Sequence, residues 1–209
     1  MRVWKQLPAR DARWTVRHDV DAFVNAAHEQ PSVAIAMLAA DRGLATAVSS
    51  WGETALNAAS HLGHKGLIHS ILELGGQIDI FAACATGALD AVQAMLPDTP
   101  LDACGVHDLP LLHFAVMSRG LEVLQLLLNA GVTLNPIQAS LSPLHSAVAI
   151  GSVPMIRALV TAGVDCEVTD AYGATALDWA YDIEDRGSVI AVVLSGYLRR
   201  AAADLPTAG

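Results

Sequence analysis

Aromatic residues make up only 5% of this 209-residue chain, against 53% apolar residues in all. Its core must therefore be built from Ala, Leu and Val at close helix contacts, without many large anchors. Cysteine is scarce as well. Cys84, Cys104 and Cys166 are odd in number and include no C-x-x-C pair. That argues against a disulfide framework and a zinc ribbon and favours a reducing compartment, so the cytoplasm is the expected location. Cys84 reads as a small core residue. No apolar run approaches the ~18 residues that would span a bilayer. The opening MRVWKQLPARDARW is basic but has no apolar stretch behind it, so it does not read as a secretory signal. Basic residues are the other shortage: between Asp19 and Arg186 there are only Arg42, Lys65, Arg119, Arg157 and Arg186 itself. With a net charge of −9, the body of the chain repels phosphate and does not suit nucleic acid. None of the motifs G-x-S-x-G, Walker A, H-E-x-x-H or G-x-G-x-x-G occurs, and the expectation is a protein that is not an enzyme and holds no cofactor.

What the chain does contain is a repeated unit. Trp51 to Asp79 reads WGETALNAASHLGHKGLIHSILELGGQID. A G-x-T-x-L-x-x-A start runs into an apolar helical pattern that stops at Gly63. A second run, Leu67-Ile68 with Ile71-Leu72, stops at Gly75-Gly76. Two helices this short cannot bury their own apolar faces, so the unit must stack on copies of itself. Phe23, Leu56, Ile80, Leu112, Leu144 and Leu177 occupy the equivalent apolar position, at spacings of about 33, 24, 32, 32 and 33 residues.

These stretches resemble ankyrin repeats. SPLHSAVAIG (Ser142 to Gly151) and GATALDWA (Gly173 to Ala180) are similar to the family's T-P-L-H-x-A-A motif. LEVLQLLLNAGVTLN (Leu121 to Asn135) is similar to its second helix and exit turn. The resemblance implies an all-α solenoid of about six units over residues 18–200. Residues 1–17 would be a basic arm capping the first unit, and 201–209 a frayed tail. The short spacing before Ile80 implies that one inter-repeat finger hairpin is missing near residues 75–80, which would interrupt the finger row.

The resemblance also assigns roles. His113 and His145 stand in the T-P-L-H position, where imidazoles tie repeats together. His61, His64 and His69 invite a metal reading, but His64 falls in the Gly-His turn and no cysteine lies near in sequence, so no metal is expected. Asp182, Glu184 and Asp185 read as a solvated acidic turn. The family's concave face is built from finger tips and the outward sides of first helices. Projecting it onto this sequence selects Asn25, His28 and Glu29 in the first unit, and Trp51, Glu53, His61 and Leu62 in the second. It adds His107, Leu109, Phe114, Met117 and Ser118 from the fourth, Ile150 from the fifth, and Tyr172, Trp179, Asp182 and Ile183 from the sixth.

The expected function is non-catalytic binding of another protein through this face, by a monomer that engages neither nucleic acid nor membrane. A narrower alternative is an acidic inhibitor or immunity-type protein that masks a basic partner. An alternative of another class is a metal or enzymatic site in the gap left by the missing finger. Convergence of two or more of His61, His64, His69 and His107 on one point would favour it.

Overall fold

The computed structural model describes residues 12–136, 141–182 and 187–203. Among these residues the regular structure is helical, apart from three isolated antiparallel bridges. The α-helices come as six consecutive pairs. They are α1 (Ala12–Glu29) with α2 (Pro31–Ala40), α3 (Ala55–Leu62) with α4 (Lys65–Glu73), and α5 (Ile80–Thr86) with α6 (Leu89–Met95). Then follow α7 (Leu111–Met117) with α8 (Leu121–Asn129), α9 (Pro143–Ala149) with α10 (Val153–Thr161), and α11 (Ala176–Asp182) with α12 (Gly187–Ala203). First helices pack in series, α1 on α3, α5, α7, α9 and α11 in turn, and second helices line up behind them, α2 on α4, α6 on α8, α8 on α10 and α10 on α12. This is the all-α repeat solenoid that the periodicity implies.

Local chemistry fixes the helix ends. Thr54 accepts the Asn57 N–H at 3.1 Å, and Asn57 Oδ1 takes the Thr54 N–H at 3.3 Å, a capping box that satisfies two orphan amides of α3. Asp79 caps α5 by accepting the Ala82 N–H at 2.7 Å. Pro31, Pro143 and Pro154 stand in first turns, where a missing N–H costs nothing.

Alanine carries the close contacts between first helices. Ala58, Ala59, Ala82, Ala83, Ala115 and Ala147 are all fully buried, as is Cys84. Phe23, Leu56, Ile80, Leu112 and Leu144 are buried at their equivalent positions, whereas Leu177 in the last unit is half-buried. The core is one continuous cluster from Phe23 to Leu194. A stack without separate cores is what units unable to fold alone require.

The three bridges, Val48 with Thr54, Cys104 with Pro110 and Thr169 with Thr175, mark finger hairpins before α3, α7 and α11. No bridge lies between Glu73 and Ile80, where the chain runs straight from α4 into α5. The third unit thus lacks its finger, as the spacing predicts, but the row closes up across the gap. The C-terminal ends of α3 and α7 touch: a Cβ on Gly63, which sits at φ +69°, would lie 2.8 Å from the Met117 carbonyl oxygen. His113 bridges the same pair of helices, donating from Nε2 to the His61 carbonyl at 2.7 Å.

Two boundaries shift. Helix α1 already runs from Ala12, through the limit at residue 17, and the expected cap otherwise falls on residues 1–11, outside the described residues. Helix α12 continues to Ala203, past the expected start of a frayed tail, and 204–209 lie outside the described residues.

Candidate functional site

The closing of the second unit onto the fourth brings four side chains together. His28 comes from the end of α1, Glu53 from the finger before α3, His61 from the end of α3, and His107 from the tip of the finger before α7. Ring centroids are 5.1 Å apart for His28 and His61, 4.9 Å for His61 and His107, and 6.1 Å for His28 and His107. Glu53 is 6% exposed and lies beneath them. Its Oε1 stands 3.2 Å from His28 Nε2 and 3.5 Å from His107 Nε2.

Backbone contacts fix how the rings point. His28 Nδ1 lies 2.9 Å from the Val24 carbonyl and His61 Nδ1 lies 3.3 Å from the Asn57 carbonyl. A carbonyl only accepts, so in both rings Nδ1 carries the hydrogen and Nε2 faces the cluster. The carbonyls of the two residues are themselves held from later units. His64 Nε2 donates to the His28 carbonyl at 3.1 Å, as His113 does to that of His61. Burial pushes the His61 imidazole down to about 4; the facing His107, His28 and His113 add to this, against the Asn57 carbonyl bond. His61 is therefore neutral near pH 7, with a lone pair on Nε2.

Glu53 is fastened on its other side. Trp51 Nε1 donates to Oε2 at 3.0 Å, and the Glu53 amide bonds the Ser49 hydroxyl at 3.0 Å. Oε1 is buried and accepts no hydrogen bond. An anionic oxygen in that state costs free energy unless a cation sits by it. Next to the cluster is an open pocket of about 350 Å³ lined by Trp51, Gly52, Glu53, Asn57, Val106 and His107.

The tip that delivers His107 is strained. His107 and Asp108 both take positive φ, +58° and +54°, inside the turn closed by the Leu109 N–H to the Val106 carbonyl. Such a pair is normally Asn-Gly, and non-glycine residues are held there only when their surroundings over-determine it. The fingers before α3 and α11 place glycines, Gly52 and Gly173, at positive φ.

All four cluster residues belong to the face projected from the sequence, but the rest of that face is dispersed. Phe114 requires correction: it is 1% exposed, packed on Phe81 at 4.9 Å and on Gly105, where a Cβ would meet its ring at 2.7 Å. Helix α7 turns it under the finger, so it is core and offers no docking surface. Leu109 and Ser118 are buried too, and Leu62, Met117 and Ile150 are half-buried. Asn25 and Glu29 are exposed beside His28. Tyr172, Trp179 and Asp182 stand at the far end of the stack, Tyr172 being 96% exposed, and Ile183 lies outside the described residues. His64 and His69 do not join the cluster: His64 ties two units together, and His69 is exposed on α4. His113 and His145 do what the T-P-L-H position implies. His113 Nδ1 accepts from the Ser146 hydroxyl at 2.7 Å, and His145 Nε2 donates to the Ala174 carbonyl at 3.0 Å.

The sequence held one unused signal. His28 and His61 are 33 residues apart (61 − 28), the spacing that separates Phe23 from Leu56, and so occupy the same place in successive units.

A family model described as ankyrin repeats (3 copies) matches residues 112–194, which takes in α8 to α11 with most of α7 and part of α12. No curated protein matches the chain.

Proposed function

We propose, from the ankyrin-repeat match over residues 112–194, that the chain is a docking module, since repeats of this kind generally mediate protein–protein interaction. Its partner is a protein seated on the finger tips and first helices. Two exposed aromatic rings at finger tips carry this proposal, Trp51 at 49% and Tyr172 at 96% exposure. Aromatic rings offered to solvent on rigid supports are what interface anchors use. Trp51 is already oriented by its bond to Glu53, so docking costs it little side-chain entropy.

Charge favours a partner with a basic surface. The net charge is −9, and Glu29, Asp108, Asp178 and Asp182 are exposed on or near the finger face. Association would be fast at low salt and slow at high salt. An inhibitor of a basic partner is the narrower form of the same reading.

A photo-crosslinking amino acid placed at Tyr172 or Trp51, with Gln125 on α8 as the control, tests the proposal. Discrete crosslinked products from the two finger positions but not from Gln125 are expected. Equal crosslinking from Gln125, or none from either finger, would sink it.

A further inference from the structure

We propose that His28, His61, His107 and Glu53 bind a divalent transition-metal ion, zinc by the chemistry of the ligand set. Three imidazoles and one carboxylate suit this borderline-soft ion, and soft thiolates or an all-oxygen cage are absent from the cluster. One ligand atom from each of the four lies within 4.8 Å of every other. A tetrahedron with bonds of ~2.0–2.1 Å has edges of ~3.3–3.4 Å. The contacts of Glu53 Oε1 with His28 Nε2 and His107 Nε2, 3.2 and 3.5 Å, fall on either side of that value.

Three independent features support the site. First, the outer shell is in place: His28 and His61 each give Nδ1–H to the carbonyl four residues earlier, the contact that leaves Nε2 as the ligand and fixes the ring. Second, Glu53 Oε1 is a buried oxygen with no hydrogen bond, aimed into the cluster. A metal ion supplies what it lacks, whereas a plain ion-pair cluster would point an N–H at it. Third, the finger tip holds two non-glycine residues at positive φ while presenting His107. Strain of this kind is retained where a side chain has to be placed.

The ion would pin the finger before α7 to the second unit, across the position of the missing finger. With the adjoining pocket on its open side, it would stiffen the Trp51 wall.

His107→Asn separates metal binding from folding. Asn adopts positive φ more readily than His, so the metal-free variant should melt no lower than the parent. Zinc chloride titrated into the EDTA-treated, dialysed full chain, followed by calorimetry and thermal melting, should show one ion per chain and a rise in melting temperature. Cobalt(II) in its place should give the visible absorption band of a tetrahedral site. In His107→Asn affinity should fall ~100-fold or more and the rise in melting temperature should vanish. Glu53→Gln should behave likewise, and His69→Ala, outside the cluster, should match the parent. No zinc binding by the parent, or binding that survives His107→Asn, would overturn the site. Neither readout needs a partner, so docking can fail while the metal site stands, and the reverse.

Discussion

Trp179 donates its indole Nε1–H to Asp170 Oδ2 at 2.9 Å, locking α11 to the finger that precedes it. The other carboxylate oxygen takes the backbone N–H groups of Ala174 and Tyr172, each at 2.9 Å. The Ala174 amide chiefly, with the Trp179 indole, the Tyr172 amide and the charge of His145, holds the Asp170 carboxyl below its ordinary 3.8. A carboxyl lowered on folding adds stability that is complete above 3.8 and disappears as pH falls through the folded value. Trp179 emission should therefore stay constant from neutral pH into the mildly acidic range and shift red only below 3.8. Asp170→Asn should make the emission red-shifted at neutral pH already. Emission that begins to shift well above 3.8 would show that another group controls this end.

Leu127 is fully buried, whereas its neighbour Leu126 is half-buried against the core. Leu127→Ala should cost about 2–5 kcal/mol in urea unfolding, the range for a deleted core leucine, and Leu126→Ala clearly less. Equal losses at the two positions would mean that α8 is rotated from the register described.

Burial pushes the Cys84 thiol up to about 12, with the Asp79 charge adding to it. Only the thiolate reacts, so a disulfide reagent at mildly alkaline pH should label Cys104, and more slowly Cys166, whose thiol is pushed up by burial and by the charges of Asp165 and Glu167, in the native protein. Cys84 should react only after denaturation. Three fast thiols in the folded chain would contradict the packing of α5.

Gly63 combines φ +69° with the close approach to Met117, while Gly173 has φ +83° and open space around it. Gly173→Ala should cost about 1 kcal/mol from backbone strain alone. Gly63→Ala should cost clearly more, because the ends of α3 and α7 must also part. Matching melting temperatures for the two variants would show that this junction is loosely packed.

Most of the fold was legible in the sequence. Phe23, Leu56, Ile80, Leu112 and Leu144 carried the period and are buried as it requires, and the short step to Ile80 disclosed the lost finger. Phe114 misled because a helical projection gives an angle and not a depth. What covers it, the finger at Gly105 folded back over α7 and the Phe81 ring from α5, does not lie on its own helix. The histidine–carboxylate cluster was hidden for a related reason. Its members span residues 28 to 107 and meet because the second and fourth units touch, a contact that no local pattern encodes. His61, His64 and His69 were close in sequence, yet only His61 points to the cluster.

Stacked repeat arrays transmit information only from each module to the one beside it, which lets them melt from either end piece by piece. Here the shortened third module introduces a next-nearest coupling through His113, Gly63 and Met117. Units two to four therefore have reason to open as a single cooperative block. A deletion that looks like damage to the lattice would then tie three modules into one unit of unfolding.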